Sequence, residues 1–197
     1  MPITFDEEYF TNSNIGYINY RDDIRFYNRA KWLSELGYNH ITVIGCAYGF
    51  TVKHLIDDFN FTNVKGVEKS AWAMTKGTEM GLLGYIFPSD ISLYNYANTD
   101  LIVSWNVLDT MASDIEVEIL SSHLNSSEKT QIHVLSMADS ANTQDYIDMG
   151  YLMRSYEFWR SMFPDAYLVC SECRKVYNPE GKEPLHSVPL IKDWVAD

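Results

Sequence analysis

Apolar positions along this chain fall into short continuous runs separated by stretches in which they recur every three or four residues, and the two kinds of segment alternate. Ile41–Ile44 is an apolar, mostly β-branched run that stops at Gly45-Cys46-Ala47-Tyr48-Gly49, after which Val52, Leu55, Ile56 and Phe59 follow a helical period. That reads as strand, tight turn, helix. Residues 64–67 form a second short strand ending in Glu68, and Ser70 is placed to cap a helix through Ala71, Trp72, Met74 and Met80, whose later turns are weakened by Gly77 and Gly81. Residues 84–87 predict a third strand ended by Pro88. Leu101–Trp105 predicts a fourth, nearly continuous in apolar character as a strand buried on both faces should be, and residues 130–137 predict a fifth.

The remaining segments complete the alternation. Asp22 or Asp23 can cap a helix that carries Phe26, Ala30 and Leu33 on one stripe and runs to Leu36, with Gly37 as its stop. Ser113-Asp114-Ile115-Glu116 is a capping-box sequence for a helix with Ile115, Ile119 and Leu120. Asn142 opens a long helical stretch through Tyr146, Met149, Met153, Phe158 and Met162. Residues 166–171 are a strand, residues 178–182 a turn, and residues 188–195 a final strand in which Pro189 suits an edge. Residues 4–20 are rich in aromatics and turn formers without a sustained period, as expected of an arm or lid.

Chemistry concentrates where the first strands end. Glycines at the Gly45 to Gly49 turn permit positive φ and let a ligand approach backbone at a point where the first helical amides carry partial positive charge. Glu68 is a carboxylate placed to accept hydrogen bonds from the hydroxyls of a ribose, and Asp90 falls just past the third strand on the same sheet edge. The turn lacks the G-x-G-x-x-G of dinucleotide sites and the Gly-Lys-Ser/Thr of a phosphate loop. A nucleoside without those phosphates is the ligand this pattern favours.

The wording Ile44-Gly45-Cys46-Ala47-Tyr48-Gly49-Phe50 resembles the first motif of class I S-adenosylmethionine-dependent methyltransferases, and residues 100–111 resemble their fourth motif. The resemblance covers residues 41–111 in detail and the rest by topology. It implies an α/β, Rossmann-like seven-stranded sheet in the order 3-2-1-4-5-7-6 with strand 7 antiparallel. It also implies one domain over 1–197, divided into an aromatic arm and helix (1–38), a cofactor-binding core (39–137) and a C-terminal helix and strand pair (138–197). By the same resemblance S-adenosyl-L-methionine is the cofactor. Gly45, Cys46, Ala47, Tyr48 and Gly49 would hold its methionine part, Glu68 its ribose, and Asp90 its adenine amino group. Trp105 and Asn106 would face it, Asp109 would lie near the substrate mouth, and Tyr17 and Tyr20 are candidate lid residues. One departure stands out: two residues before the first glycine, where the family usually has an acid, this chain has Val43.

Charge and composition narrow the acceptor. Fifteen basic against 27 acidic side chains give a formal charge of −12, a field that repels nucleic-acid backbones and anionic lipid. Base-directed amino methyltransferases carry Asp/Asn-Pro-Pro-Tyr/Phe after the fourth strand, and here the sequence is Ser104-Trp105-Asn106-Val107, so nucleic acid is disfavoured. The five histidines show no H-x-x-x-H or H-E-x-x-H spacing, and Cys170-Ser-Glu-Cys173 has no second pair, so no metal site is expected. Three cysteines, an acidic start and the lack of any apolar run near the ~20 residues of a membrane span favour a reduced, cytoplasmic setting. No side chain declares itself as the catalytic acid or base. The expected function is methyl transfer to a small molecule; the alternative is a non-catalytic assembly protein of the same fold, with a vestigial or regulatory pocket and a protein partner.

Overall fold

Ile41–Ile44 (β1) lies at the middle of the sheet in the computed structural model, all four of its residues buried. The structure describes residues 3–11, 17, 19–138, 147, 151–171 and 175–185. β1 pairs in parallel with Val64–Glu68 (β2) on one side and with Leu101–Trp105 (β4) on the other, so that Val43 stands opposite both Gly66 and Val103. Ile86–Pro88 (β3) adds beyond β2, and Thr130–Leu135 (β5) and Tyr167–Cys170 (β6) add in parallel beyond β4. Lys175–Tyr177 (β7) closes the far edge antiparallel to β6. The sheet therefore runs β3-β2-β1-β4-β5-β6-β7, the α/β, Rossmann-like architecture that the family resemblance implies.

Period-two alternation sorts the strand residues into two cores. Ile41, Val43, Leu101, Val103, Ile132 and Val134 face one, which Ile24–Glu35 (α2) fills with Trp32 and Leu33 and Phe50–Asp57 (α3) with Val52 and Leu55. Ile44, Ile102 and Leu135 face the other, covered by Leu120 and Leu124 of Asp114–Ser126 (α5) and by Trp159 of Tyr156–Met162 (α6). A third, aromatic cluster joins the arm to the start of α3. Phe10, from the short helix Glu7–Thr11 (α1), packs there with Tyr20, Phe26, Tyr48 and Phe50. Among the described residues no helix is long and apolar enough to cross a membrane.

Local signals set most helix starts. Asp23, not Asp22, caps α2 by accepting from Arg25 N; Ser70 caps Ala71–Glu79 (α4) by accepting from Ala73 N at 3.2 Å; and Ser113 caps α5. Three expectations change. The third strand starts at Ile86 because Gly84, at φ +87°, cannot continue an extended chain. The long helix expected from Asn142 is not continuous: Arg154 bridges Met137 as extended backbone, and Ser155 caps a separate α6 at Tyr156. At the far edge, β6 lands directly beside β5 and the antiparallel strand lies outside it, giving 6-7 where 7-6 was expected. A three-residue β7 pairs antiparallel with the free edge of β6. The strand expected over residues 188–195 lies outside the described residues.

Gly77 tests how tightly these layers meet. A Cβ there would stand 2.6 Å from Ile86 Cδ1 and 3.1 Å from the carbonyl oxygen of Tyr48. Helix propensity alone favours Gly77→Ala by about 1 kcal/mol, whereas overpacking a filled site costs about 1–3 kcal/mol. Thermal unfolding of Gly77→Ala should therefore give a lower Tm than wild type. A higher Tm would show that α4 can retreat from β3.

Candidate functional site

The loop from β1 to α3 is shaped by three left-handed residues, Gly45 (φ +59°), Ala47 (φ +51°) and Gly49 (φ +80°). Ala47 is the costly one, since a non-glycine residue at positive φ is held only where its surroundings impose it. What imposes it is Glu68. At the end of β2 and only 6% exposed, this carboxylate accepts from Ala47 N through Oε2 at 2.9 Å, and from Lys69 N and Ser70 N through Oε1 at 2.9 and 2.8 Å. Burial pushes the carboxyl of Glu68 above its ordinary value, while the three amides pull it back. Glu68 thus ties the glycine loop to the N-terminus of α4.

The two glycines have different neighbours. A Cβ on Gly45 would stand 2.5 Å from Val107 Cγ2, so the loop can approach the end of β4 only as bare backbone. At Gly49 a Cβ would stand 2.6 Å from Ile86 Cδ1 and 2.7 Å from Leu82 Cδ1. The space denied there belongs to the core, which corrects the expectation that Gly49 is bare for a ligand.

Above the strand ends lies a cleft with about 530 Å³ between its lining atoms, part of it open to solvent. Its floor is Gly45, Ala47, Glu68, Trp105 and Asn106. Tyr17 lines it from the arm, with its ring 4.9 Å from Tyr48 and 5.4 Å from Phe26. Phe5, Tyr9 and Phe10 line it as well, and the sequence had marked their segment as an arm without singling them out. The spacing of Tyr9 and Phe10 from Phe5, four and five residues, is the signal that could have found them. Lys69 and Thr110 also reach the cleft, with no signature in the sequence.

Besides Gly49, five candidates stand away from it. Cys46 turns its sulfur toward Gly66 and the apolar core, and burial pushes its thiol well up. Tyr48 packs in the aromatic cluster and accepts a hydrogen bond from Trp72 Nε1. Tyr20 packs its ring at a tilt against that of His54 and donates to Asp57. Asp90 is exposed, accepts from the amide and hydroxyl of Ser92, which hold its carboxyl low, and leaves Ile91 to line the cleft. Asp109 lies one layer behind the mouth where it was expected.

Asp109 is fully buried at the 3-10 turn Leu108–Thr110. Its Oδ2 accepts from Asn106 Nδ2 at 3.1 Å and from Ser136 N at 2.9 Å, while Oδ1 has no hydrogen-bond partner among the described residues. Burial raises its carboxyl to about 6. Asn106, held at φ +50°, also donates to Ser136 Oγ at 2.9 Å, so both bonds of its amide nitrogen are spent away from the cleft it lines. Asp109 is a positioning residue for Asn106. Elsewhere, Cys170 at the end of β6 is disulfide-bonded.

No family model and no curated protein matches the chain. Solved structures do. A SAM dependent methyltransferase from Archaeoglobus fulgidus superposes with TM-score 0.56 at 16% identity, over 79% of this chain and 69% of that one. The mitomycin 7-O-methyltransferase superposes with TM-score 0.53 at 16% identity, over 69% of this chain and 46% of that one. The plantazolicin methyltransferase, in complex with a pentazolic desmethyl analogue and SAH, gives 0.52 at 13% identity, over 77% and 65%. The chain spans about half the length of the first of the solved structures it matches. At these identities the likeness is one of fold.

The buried carboxyl of Asp109 generates a pH prediction. Its value in the folded chain, about 6, lies above the ordinary 3.8, so the folded state holds the proton more tightly than the unfolded one. Its contribution to stability is fully present below about pH 4 and is lost as pH rises through about 6. Asp109→Asn should remove that part of the fall in Tm between about pH 4 and 7. Equal slopes in variant and wild type would mean that Asp109 stays ionised throughout.

Proposed function

We propose that this chain, which has the fold of the class I S-adenosylmethionine-dependent methyltransferases, binds S-adenosylmethionine in the cleft over β1, β2 and β4 and passes its methyl group to a small-molecule acceptor. The observation that carries this reading is the Gly45, Ala47 and Glu68 arrangement, in which bare backbone and a buried carboxylate share one wall of the cleft. A carboxylate has about four acceptor positions and Glu68 gives three to amides, so capacity remains for a ribose hydroxyl. These residues fit the nucleoside end of the group. When bound, it supplies an electrophilic methyl on a sulfonium.

The chain's own part is alignment and exclusion of water. In this reading Trp105 and Asn106 flank the reacting centre, with Asn106 fixed by Asp109 and Ser136, while Phe5, Tyr9, Phe10 and Tyr17 cover the cleft. In-line geometry and desolvation contribute most to such a transfer, and a base is needed only when the acceptor must lose a proton. Ile91 would wall the adenine beside Asp90, and Cys46, Tyr48 and Gly49 would act by holding the loop. We place the boundaries of the single unit at 1–197, with the core over 39–137.

A second reading, a non-catalytic assembly protein of this fold, is favoured by Val43. That residue is 3% exposed in the apolar core and does not line the cleft, so the chain offers no carboxylate there for an ammonium group. Calorimetry with S-adenosylhomocysteine separates the two. Wild type should bind, and Glu68→Gln, which turns one carboxylate oxygen into a donor facing another donor, should bind at least tenfold more weakly, since a hydrogen bond to a charged group contributes about 1.5–3 kcal/mol. No heat and no ligand-dependent rise in the Tm of wild type would sink the methyltransferase reading.

A further inference from the structure

Five arginines lie among the described residues, and four of them are fully engaged. Arg21 pairs with Asp57 and Asp58, Arg25 with Asp23, Arg154 with Asp114, and Arg160 donates to carbonyls that include those of Phe163, Ala166 and Tyr177. Arg29, on α2, has neither an ion pair nor a hydrogen bond among the described residues. Its Nε is buried and unpartnered. The guanidinium lies over two rings, 4.9 Å from the centroid of Phe26 and 5.2 Å from that of Trp105.

In a chain of net charge −12, a half-buried cation whose acidic neighbour Asp23 is already ion-paired with Arg25 is anomalous. Burial lowers its pKa to about 10, Tyr17 and Asp23 hold it up in part while Arg25 pushes it down, and it stays charged at neutral pH. Ring faces offset part of the desolvation, but they leave the in-plane donors of the guanidinium unused. A planar fork with free donors matches a carboxylate in bidentate geometry. The location supplies the rest: Arg29 stands behind the lining of the cleft, next to two residues that form it, Trp105, over whose ring it lies, and Tyr17, its electrostatic neighbour.

We infer that Arg29 is the anion-binding group of this cleft, receiving a ligand carboxylate at the wall that Tyr17 and Trp105 form. Where the carboxylate belongs to the amino-acid end of S-adenosylmethionine, the inference rests on the proposed function. Where it belongs to the acceptor, it defines the acceptor as a carboxylic acid. In either case the ligand replaces the ion-pair partner that the chain lacks at this position.

The test compares wild type with Arg29→Met and Arg29→Lys, using S-adenosylhomocysteine and 5′-methylthioadenosine as calorimetric ligands, and benzoate as a carboxylate probe in thermal unfolding. The apo form of Arg29→Met should melt at or above the wild-type temperature, because an unpaired buried charge has been removed. Its affinity for S-adenosylhomocysteine should fall at least tenfold while that for 5′-methylthioadenosine, which has no carboxylate, is unchanged. Arg29→Lys, with charge but no fork, should fall between the two. Equal loss for both nucleosides would overturn the inference, showing that Arg29 only supports the wall. If neither nucleoside affinity changes, stabilisation of wild type but not of Arg29→Met by benzoate assigns the carboxylate to the acceptor. Absence of that difference overturns the inference. Failure of wild type to bind either nucleoside defeats the proposed function alone, and the benzoate comparison still decides the role of Arg29.

Discussion

The carboxylate of Glu68 is the joint on which the ligand edge of this fold depends. It accepts from one amide of the loop after β1 and from two at the start of α4, so two segments that follow different strands are fastened to one side chain. Parallel pairing of β1 with β2 makes this reach available, because Ile44 is in register with Val67 and the loop residue Ala47 follows close by. Without an acceptor for its amide, the left-handed backbone at Ala47 would have little to hold it. The burial of Glu68 is tolerated because each donor it meets favours the ionised form.

Charge around the cleft is distributed unevenly, and the unevenness is informative. Glu68 has three donors and room for one more, Asp109 has donors on one oxygen only and a carboxyl that burial raises to about 6, and Arg29 lies over aromatic faces. Stability alone does not favour the last two, since apolar residues of similar volume fill such places at lower cost. Asp109 is explained by what it holds, the amide of Asn106. Arg29 is explained by what it lacks.

Aromatic packing couples the arm to the loop. Tyr48 sits in the glycine turn, yet its ring meets Phe10, Tyr17 and Phe50 and not the cleft, so a residue of the turn is a contact for the segment that covers it. Ser70 extends the coupling: the hydroxyl that caps α4 also donates to the carbonyl of Phe5 at 2.7 Å. Movement of the arm is thereby connected to the same helix start that Glu68 braces.

Local physics made much of this legible beforehand. Alternating strand and helix periods, the Gly45 turn, the position of Glu68 at a strand end, and the caps at Ser70 and Ser113 each depend on residues within a few positions of one another. So does the placing of Trp105 and Asn106 at the end of β4, since a strand's last residue is known once the strand is. What the pattern could not carry is the direction in which those side chains spend their bonds. Glu68 meets an amide 21 residues away, Asp109 turns inward to an amide 27 residues away, and Arg29 on α2 finds the ring of Trp105 at the end of β4. Asp90, equally well placed by sequence, spends its carboxylate on Ser92 two residues on. The interruption before α6 goes with the bridge between Met137 and Arg154, and the outer place of β7 with its pairing to the free edge of β6. Periodicity and capping are properties of a segment and survive in the sequence; partner choice across the sheet depends on register and packing, which only the assembled fold decides.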